Sequence, residues 1–199
     1  MHKTIAAALC LSLIAGPSLA APARKAHAAA KMSGLDGAPL GTVDFAQTGH
    51  GVLITFDLHG LSPGAHAIHV HTSGNCDAKV KFTSAGPHFS PEPMKNHGFL
   101  MKGGPHPGDL PNQFADAQGN LHASTITNMF SLGNGKRSIF DRDGASIIVH
   151  AKADDYVSQP AGNSGDRVAC GVIVRTVGPA ARKAGKRAPS ARGAQGGRP

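Results

Sequence analysis

Tryptophan is absent from this 199-residue chain, tyrosine occurs once, and aromatic residues make up only 5%. That leaves a core poor in aromatic rings. A hydrophobic share of 40% still suffices for one aliphatic core, and the length suits one domain. Charged residues reach only 16%, too few for coiled coils or long solvated helices. No stretch repeats its apolar residues at a helical period. Acids are scarce as well: Asp and Glu number 12 together, and His alone equals them at 12. Imidazole in such excess points to metal binding or proton chemistry.

Long apolar runs are also missing. The run at residues 5–15 is too short to span a bilayer. Lys3 precedes it, and Ser18-Leu19-Ala20 offers the small residues of a cleavage site. This pattern predicts an export signal over residues 1–20, hence a periplasmic protein in a Gram-negative host and a secreted one otherwise. Cys10 lies inside the signal, and Ala7-Ala8-Leu9 before it fits lipidation poorly, so it is expected to be discarded. Cys76 and Cys170 then remain, and an even count in an exported chain predicts one disulfide.

The formal charge of +8 would suggest nucleic acid, but its location argues otherwise. Arg182, Lys183, Lys186, Arg187, Arg192 and Arg198 stand in residues 178–199 without an acid, and Lys3 stands in the signal, which leaves residues 21–177 at +1. No nucleic-acid partner is expected. The basic tail reads as a solvated, disordered extension; anchoring to an anionic surface is the sharper alternative.

Residues 21–31 read as a flexible lead-in and 32–177 as the domain. Within it, residues 41–46 and 52–58 alternate at period two, with Val52, Ile54, Phe56 and Leu58 on one face. Residues 67–71, 121–127, 146–150 and 172–177 are further short strands. The chain is all-β, a sandwich or barrel. Residues 72–112 break the rhythm. This loop contains no strand-like run, yet it holds His88, His97, His106 and Asp109 among six Pro and five Gly in residues 84–111. A long loop of this kind is either disordered or held for a function, and a metal would order it.

His69 and His71 are two apart on a strand, so both imidazoles project to one face. His150 ends another strand. Three loop imidazoles with Asp109 make a closed four-ligand set suited to structural zinc, while His69, His71 and His150 form an imidazole cluster suited to copper. Two four-coordinate sites need eight ligands and seven candidates exist, so one imidazole would serve both metals. His88, which opens the loop, is the natural pivot.

The segments His69-Val70-His71, Gly86-Pro87-His88-Phe89, His97-Gly98, His106-Pro107-Gly108-Asp109, Val149-His150-Ala151-Lys152-Ala153-Asp154-Asp155 and Gly165-Asp166-Arg167-Val168-Ala169-Cys170-Gly171-Val172 stand in an order that resembles the copper/zinc superoxide dismutase family. The resemblance runs from about residue 31 to 177. It implies a Greek-key β-barrel or sandwich of about eight antiparallel strands with long metal-binding and disulfide loops. It also implies dismutation of superoxide to oxygen and hydrogen peroxide, with one copper and one zinc per chain. By resemblance, His69, His71, His88 and His150 hold copper, and His88, His97, His106 and Asp109 hold zinc. His88 bridges, Asp154 joins His69 to His97, Cys76 pairs with Cys170, and Arg167 attracts the anion. His66 matches a structural histidine. His2, His27, His50, His59 and His122 match nothing and read as surface or signal residues.

Four residues separate His71 from Cys76 and eleven separate Cys76 from His88, a spacing similar to the bacterial branch. Ala67-Ile68 stands where the family usually has Gly and an aromatic. No lysine lies between Asp155 and Arg167, where animal members guide the substrate; Lys79, Lys81, Lys95 and Lys102 are alternatives. Family members differ in their subunit interfaces, so the resemblance allows a homodimer without fixing one. A non-catalytic copper/zinc-binding protein on the same scaffold is the competing expectation, and it would need neither Arg167 nor the bridge. A zinc hydrolase is disfavoured because three His and Asp109 leave no open position.

Overall fold

A computed structural model of the chain describes residues 26–92 and 95–177. The expected signal with Cys10, the first residues of the lead-in and the basic tail lie outside the described residues. Ten strands are described: β1 His27–Gly34, β2 Pro39–Thr48, β3 Gly51–Leu58, β4 Gly64–His66, β5 Ile68–His71, β6 Gln113–Ala115, β7 Leu121–Thr127, β8 Ser146–His150, β9 Arg167–Val172 and β10 Val174–Thr176.

Eight of them form one antiparallel sheet. Its order is β5-β8-β9-β1-β2-β3-β7, with β10 following β9 along the same edge of β1; β4 and β6 pair separately. The first three strands are a meander. β7 returns to its far edge, and β8 and β9 close on β1 through the long connections of a Greek key. On β3, Val52, Ile54, Phe56 and Leu58 are all buried, as period two requires. They meet Val43 and Phe45 of β2 and Ile147 and Val149 of β8 in the main core.

Three sequence expectations are corrected. The lead-in does not extend to residue 31. Residues 27–34 form β1, which pairs with β2, β9 and β10, and Ala28, Ala30 and Met32 are buried. Alanine is too weakly apolar to advertise such alternation. The run at 67–71 is split at Ala67, because β4 pairs with β6 while β5 pairs with β8. The run at 172–177 divides likewise at Ile173, which turns into the core.

The sheet has a second, covered face. Ile148 of β8 points away from the main core and packs with Phe82, Ala85 and Cys170 beneath the long loop. In register with it, His69 lies opposite Ile148 and His71 opposite Ser146. Cross-strand partners share a face, so the barrel wall presents both histidines outward, under the loop. Among the described residues of the loop, two single 3-10 turns form, Ala78–Val80 and Thr83–Ala85.

Candidate metal centre

The loop is fastened to the wall at several points. Isolated bridges join His69 to Asp109 and His71 to His88. The Cys76–Cys170 disulfide, with its Cα atoms 5.7 Å apart, ties the loop to β9. The same chain-entropy reasoning that applies to any 94-residue separation gives roughly 4–5 kcal/mol for this closure. Gly108 N–H donates to Phe89 O at 2.9 Å, Phe89 N–H to Val70 O at 2.7 Å, and Val70 N–H to Gly108 O at 2.8 Å.

These constraints gather the histidines. Donor atoms of His69, His71, His88 and His150 lie within 4.8 Å of one another, and so do those of His69, His88, His97 and Asp109. His106 stands just outside the second group, with Nδ1 3.5 Å from Asp109 Oδ1. His88 Nδ1 lies 2.8 Å from the same oxygen, and His97 Nδ1 lies 3.0 Å from Asp109 Oδ2. Three Nδ1 atoms therefore converge on one buried carboxylate.

His69 and His88 both touch both groups. Their outer nitrogens distinguish them. His69 Nε2 is occupied by Asp154 Oδ2 at 2.9 Å, so His69 has one nitrogen left to give. His88 engages only the Asp109 side through Nδ1, which leaves Nε2 for the other group.

The remaining imidazoles are oriented by partners behind them. His71 Nδ1 donates to Gly86 O at 2.8 Å, and His150 Nδ1 faces Gly165 O at 3.3 Å. Asp154 Oδ1 lies 3.0 Å from His97 Nε2, so this one carboxylate spans His69 and His97. His66, buried, links Ser62 O to His150 O through its two nitrogens at 2.7 and 2.6 Å. It braces the wall and faces no other imidazole of the cluster.

Five nitrogens then make no well-aligned hydrogen bond, although two of them, His97 Nδ1 and His106 Nδ1, face Asp109 at 3.0 and 3.5 Å. Apart from Ser146 Oγ, the buried side-chain polar atoms lacking a hydrogen bond among the described residues are His69 Nδ1, His71 Nε2, His97 Nδ1, His106 Nδ1 and His150 Nε2. Buried polar atoms are normally satisfied. Five imidazole nitrogens without a hydrogen bond in one cluster fit a site that takes soft or borderline divalent cations.

Electrostatics agree with that use. Burial pushes His88 down to about 4 and His150 to about 3, and lowers His71 and His69 as well. These rings are neutral, as ligands must be. His97 differs: burial opposes its charge, but the carboxylates of Asp109 and Asp154 outweigh burial and raise it to about 9. The imidazoles around Asp109 overcome its own desolvation and hold it far below the usual carboxylate range, and His69 and His97 do the same for Asp154.

A cleft of about 470 Å3 opens over the cluster, bordered by His88, His150, Lys95, Glu92 and Arg167. Arg167 Nη1 donates to Phe82 O at 2.7 Å and Nη2 to Gly86 O at 2.8 Å. Of the four loop lysines, Lys95 alone borders this cleft, and Glu92 lies 3.3 Å from its Nζ. His50, His59 and His122 are exposed, and His122 pairs with Asp57 at 3.0 Å.

Several positioning groups went unseen in the sequence. Asn112 brackets Asp154, donating to its carbonyl at 2.9 Å and accepting from its N–H at 2.8 Å. Gln159 grips the His97 backbone from both sides, at 2.9 Å each. Tyr156 donates its N–H to Asp154 Oδ1 at 2.7 Å, while its hydroxyl accepts from Asn112 N–H at 2.7 Å. Only a dense run of Asn, Gln and Tyr beside ligand motifs could have hinted at them.

The family model for copper/zinc superoxide dismutase matches residues 40–173. The curated protein "Superoxide dismutase [Cu-Zn] 2" of Aquifex aeolicus is 41% identical over 75% of this chain and 86% of its own length. "Superoxide dismutase [Cu-Zn]" of Caulobacter vibrioides is 44% identical over 69% of this chain and 80% of its own. Among solved structures, a SOD-like protein from Bacillus subtilis superposes with a TM-score of 0.70 at 34% identity, covering 73% of this chain and 97% of that one. With the fold and the sequence matched over the same segment, the chain belongs to the copper/zinc superoxide dismutase family.

Proposed function

We propose that this chain dismutates superoxide to oxygen and hydrogen peroxide at the cluster beneath the cleft. The observation that carries the reading is the cluster of imidazole nitrogens without a hydrogen bond, gathered about two donor groups that share His69 and His88. His69, His71, His150 and His88 Nε2 would hold copper, and His88 Nδ1, His97 Nδ1, His106 Nδ1 and Asp109 would hold zinc. Copper held there would supply one-electron redox chemistry, and zinc would supply a fixed charge.

The chain's own residues do the rest. His88 Nε2 can hold a proton or release it at the floor of the cleft, and Asp109 keeps the ring turned that way. Asp154 fixes the tautomers of His69 and His97 together. Arg167 stays charged despite partial burial and offers a planar cation to a small anion.

The competing reading, a copper/zinc-binding protein without turnover, needs no guanidinium in the cleft. The placement of Arg167 beside His88 and His150 favours the enzyme. The test is stoichiometric: the metallated protein should release one oxygen and one peroxide for every two superoxide ions. Binding of both metals without that release would establish the competing reading.

Export remains part of the proposal. The disulfide supports an oxidising compartment, and residues 1–20 carry the signal pattern. The tail of residues 178–199, with six cations and no acid, is proposed to contact anionic surfaces.

A further inference from the structure

Lys81 and Phe82 lie consecutively in the left-handed region, with φ of 50° and 58°. For a bulky residue such as Phe this is an outlier that its surroundings must enforce. Phe82 is also buried, at 1% exposure. Its ring packs with Ala85, Ile148 and Cys170, against the half-buried Cys76 and Ala78.

The reversal has a definite result. It ends one 3-10 turn and starts the next, whose cap Gly86 follows four residues later. The carbonyls of Phe82 and Gly86 are thereby aimed at β9, where they receive the two Nη atoms of Arg167 at 2.7 and 2.8 Å. Gly86 O also receives His71 Nδ1 at 2.8 Å. The guanidinium and a wall histidine thus share one acceptor.

We propose that Phe82 is a positioning residue for Arg167: its buried ring locks a left-handed turn whose carbonyl holds the guanidinium over the cleft. The ring does not touch the substrate. It acts through the turn, and glycine, which would adopt the same φ without strain, would leave the turn unanchored. This inference rests on the dismutase reading for its rate effect but not for its effect on Arg167 itself.

The experiment uses Phe82→Ala and Phe82→Leu, each alone and combined with Arg167→Ala, on protein carrying one copper and one zinc. NMR of the reduced, diamagnetic protein reads exchange of the Arg167 guanidinium protons. Rates with superoxide are measured at low and high salt. Phe82→Ala should abolish the protection of those protons and slow the low-salt reaction by about fivefold, a part of the range open to electrostatic attraction. Phe82→Leu, which keeps an apolar anchor, should restore most of both. In the Arg167→Ala background the same Phe82 changes should alter the rate by less than about 1.5-fold, as expected when one residue acts through the other.

Retained Arg167 protection and parental rate in Phe82→Ala, with only a lowered melting temperature, would reduce Phe82 to core packing and overturn the proposal. So would an equal rate loss with and without Arg167. If Phe82→Ala does not fold, Phe82→Leu decides: unchanged proton exchange together with a fivefold slower reaction would place the effect elsewhere. Absence of turnover in the parent would refute the dismutase reading alone, since the proton-exchange measurement stands without it.

Discussion

Replacing Gly162 with alanine should damage the metal centre from behind. Gly162 has φ +66°, and a Cβ there would overlap Asp154 Oδ1 and come 2.7 Å from His97 Nε2. The backbone cannot retreat freely, because Gly162 N–H is bonded to Ser158 O at 2.7 Å and Gly162 O to Asp155 N–H at 2.9 Å. Asp154 must move instead, by about 1 Å or more to reach normal contact. That stretches its bonds to His69 and His97, at 2.9 and 3.0 Å, past useful length. The left-handed strain costs about 1–2 kcal/mol, and a buried carboxylate losing its partners costs about 1–3 kcal/mol more. Gly37→Ala isolates the first contribution, since Gly37 has φ +80° and no neighbour within 4 Å of a Cβ. Relative to that control, Gly162→Ala should bind zinc about 10–100-fold more weakly. Chelator competition measures the affinity, and Tyr156, the chain's one tyrosine in the absence of tryptophan, reports the site by fluorescence. Zinc affinity within about twofold of Gly37→Ala, a difference well under 1 kcal/mol, would mean that Asp154 does not depend on the space left at Gly162.

Asp109→Ala should lose zinc and expose the loop to protease before copper binding fails; intact zinc content after dialysis would contradict the ligand assignment. Arg167→Ala should keep both metals but react more slowly and with less salt sensitivity, with Arg167→Lys intermediate, since lysine keeps the charge and loses the planar fork; an unchanged salt slope would assign steering to Lys95. In metal-free protein, His88 at about 4 and His150 at about 3 refuse protons that the unfolded chain takes up below its ordinary value near 6.5, so stability falls as pH drops from 6.5 towards 4. His97, raised to about 9, contributes fully below 6.5 and loses its contribution as pH rises through 9, so melting temperatures across pH 4–9 should peak near neutrality, and a monotonic rise would contradict the His97 assignment. By the same logic, zinc uptake at neutral pH should expel a proton from His97, read by calorimetry in two buffers of different ionisation enthalpy; zero release would contradict it.

The wall and the ligands are legible in sequence because they repeat a simple rule. Period two put Val52, Ile54, Phe56 and Leu58 inward and set His69 and His71 on one face, and the motif order carried the family resemblance. β1 was obscured because Ala28 and Ala30 bury little apolar area each, and their burial depends on β2, β9 and β10 arriving from elsewhere in the chain. The residues that orient the ligands were hidden for a different reason. Asn112, Gln159 and Phe82 act through main-chain groups, and Gly162 acts by lacking a side chain. Nothing in a residue's own chemistry announces which carbonyl it will aim, or which distant carboxylate will need its space.

Diffraction from crystals of the metallated protein, with anomalous scattering recorded at the copper and zinc edges, would locate and distinguish the two metals. Copper is expected among His69, His71 and His150, zinc among His97, His106 and Asp109, and the His88 ring between them. A single metal species at both positions under copper-replete conditions, or His106 turned away from Asp109, would contradict this arrangement.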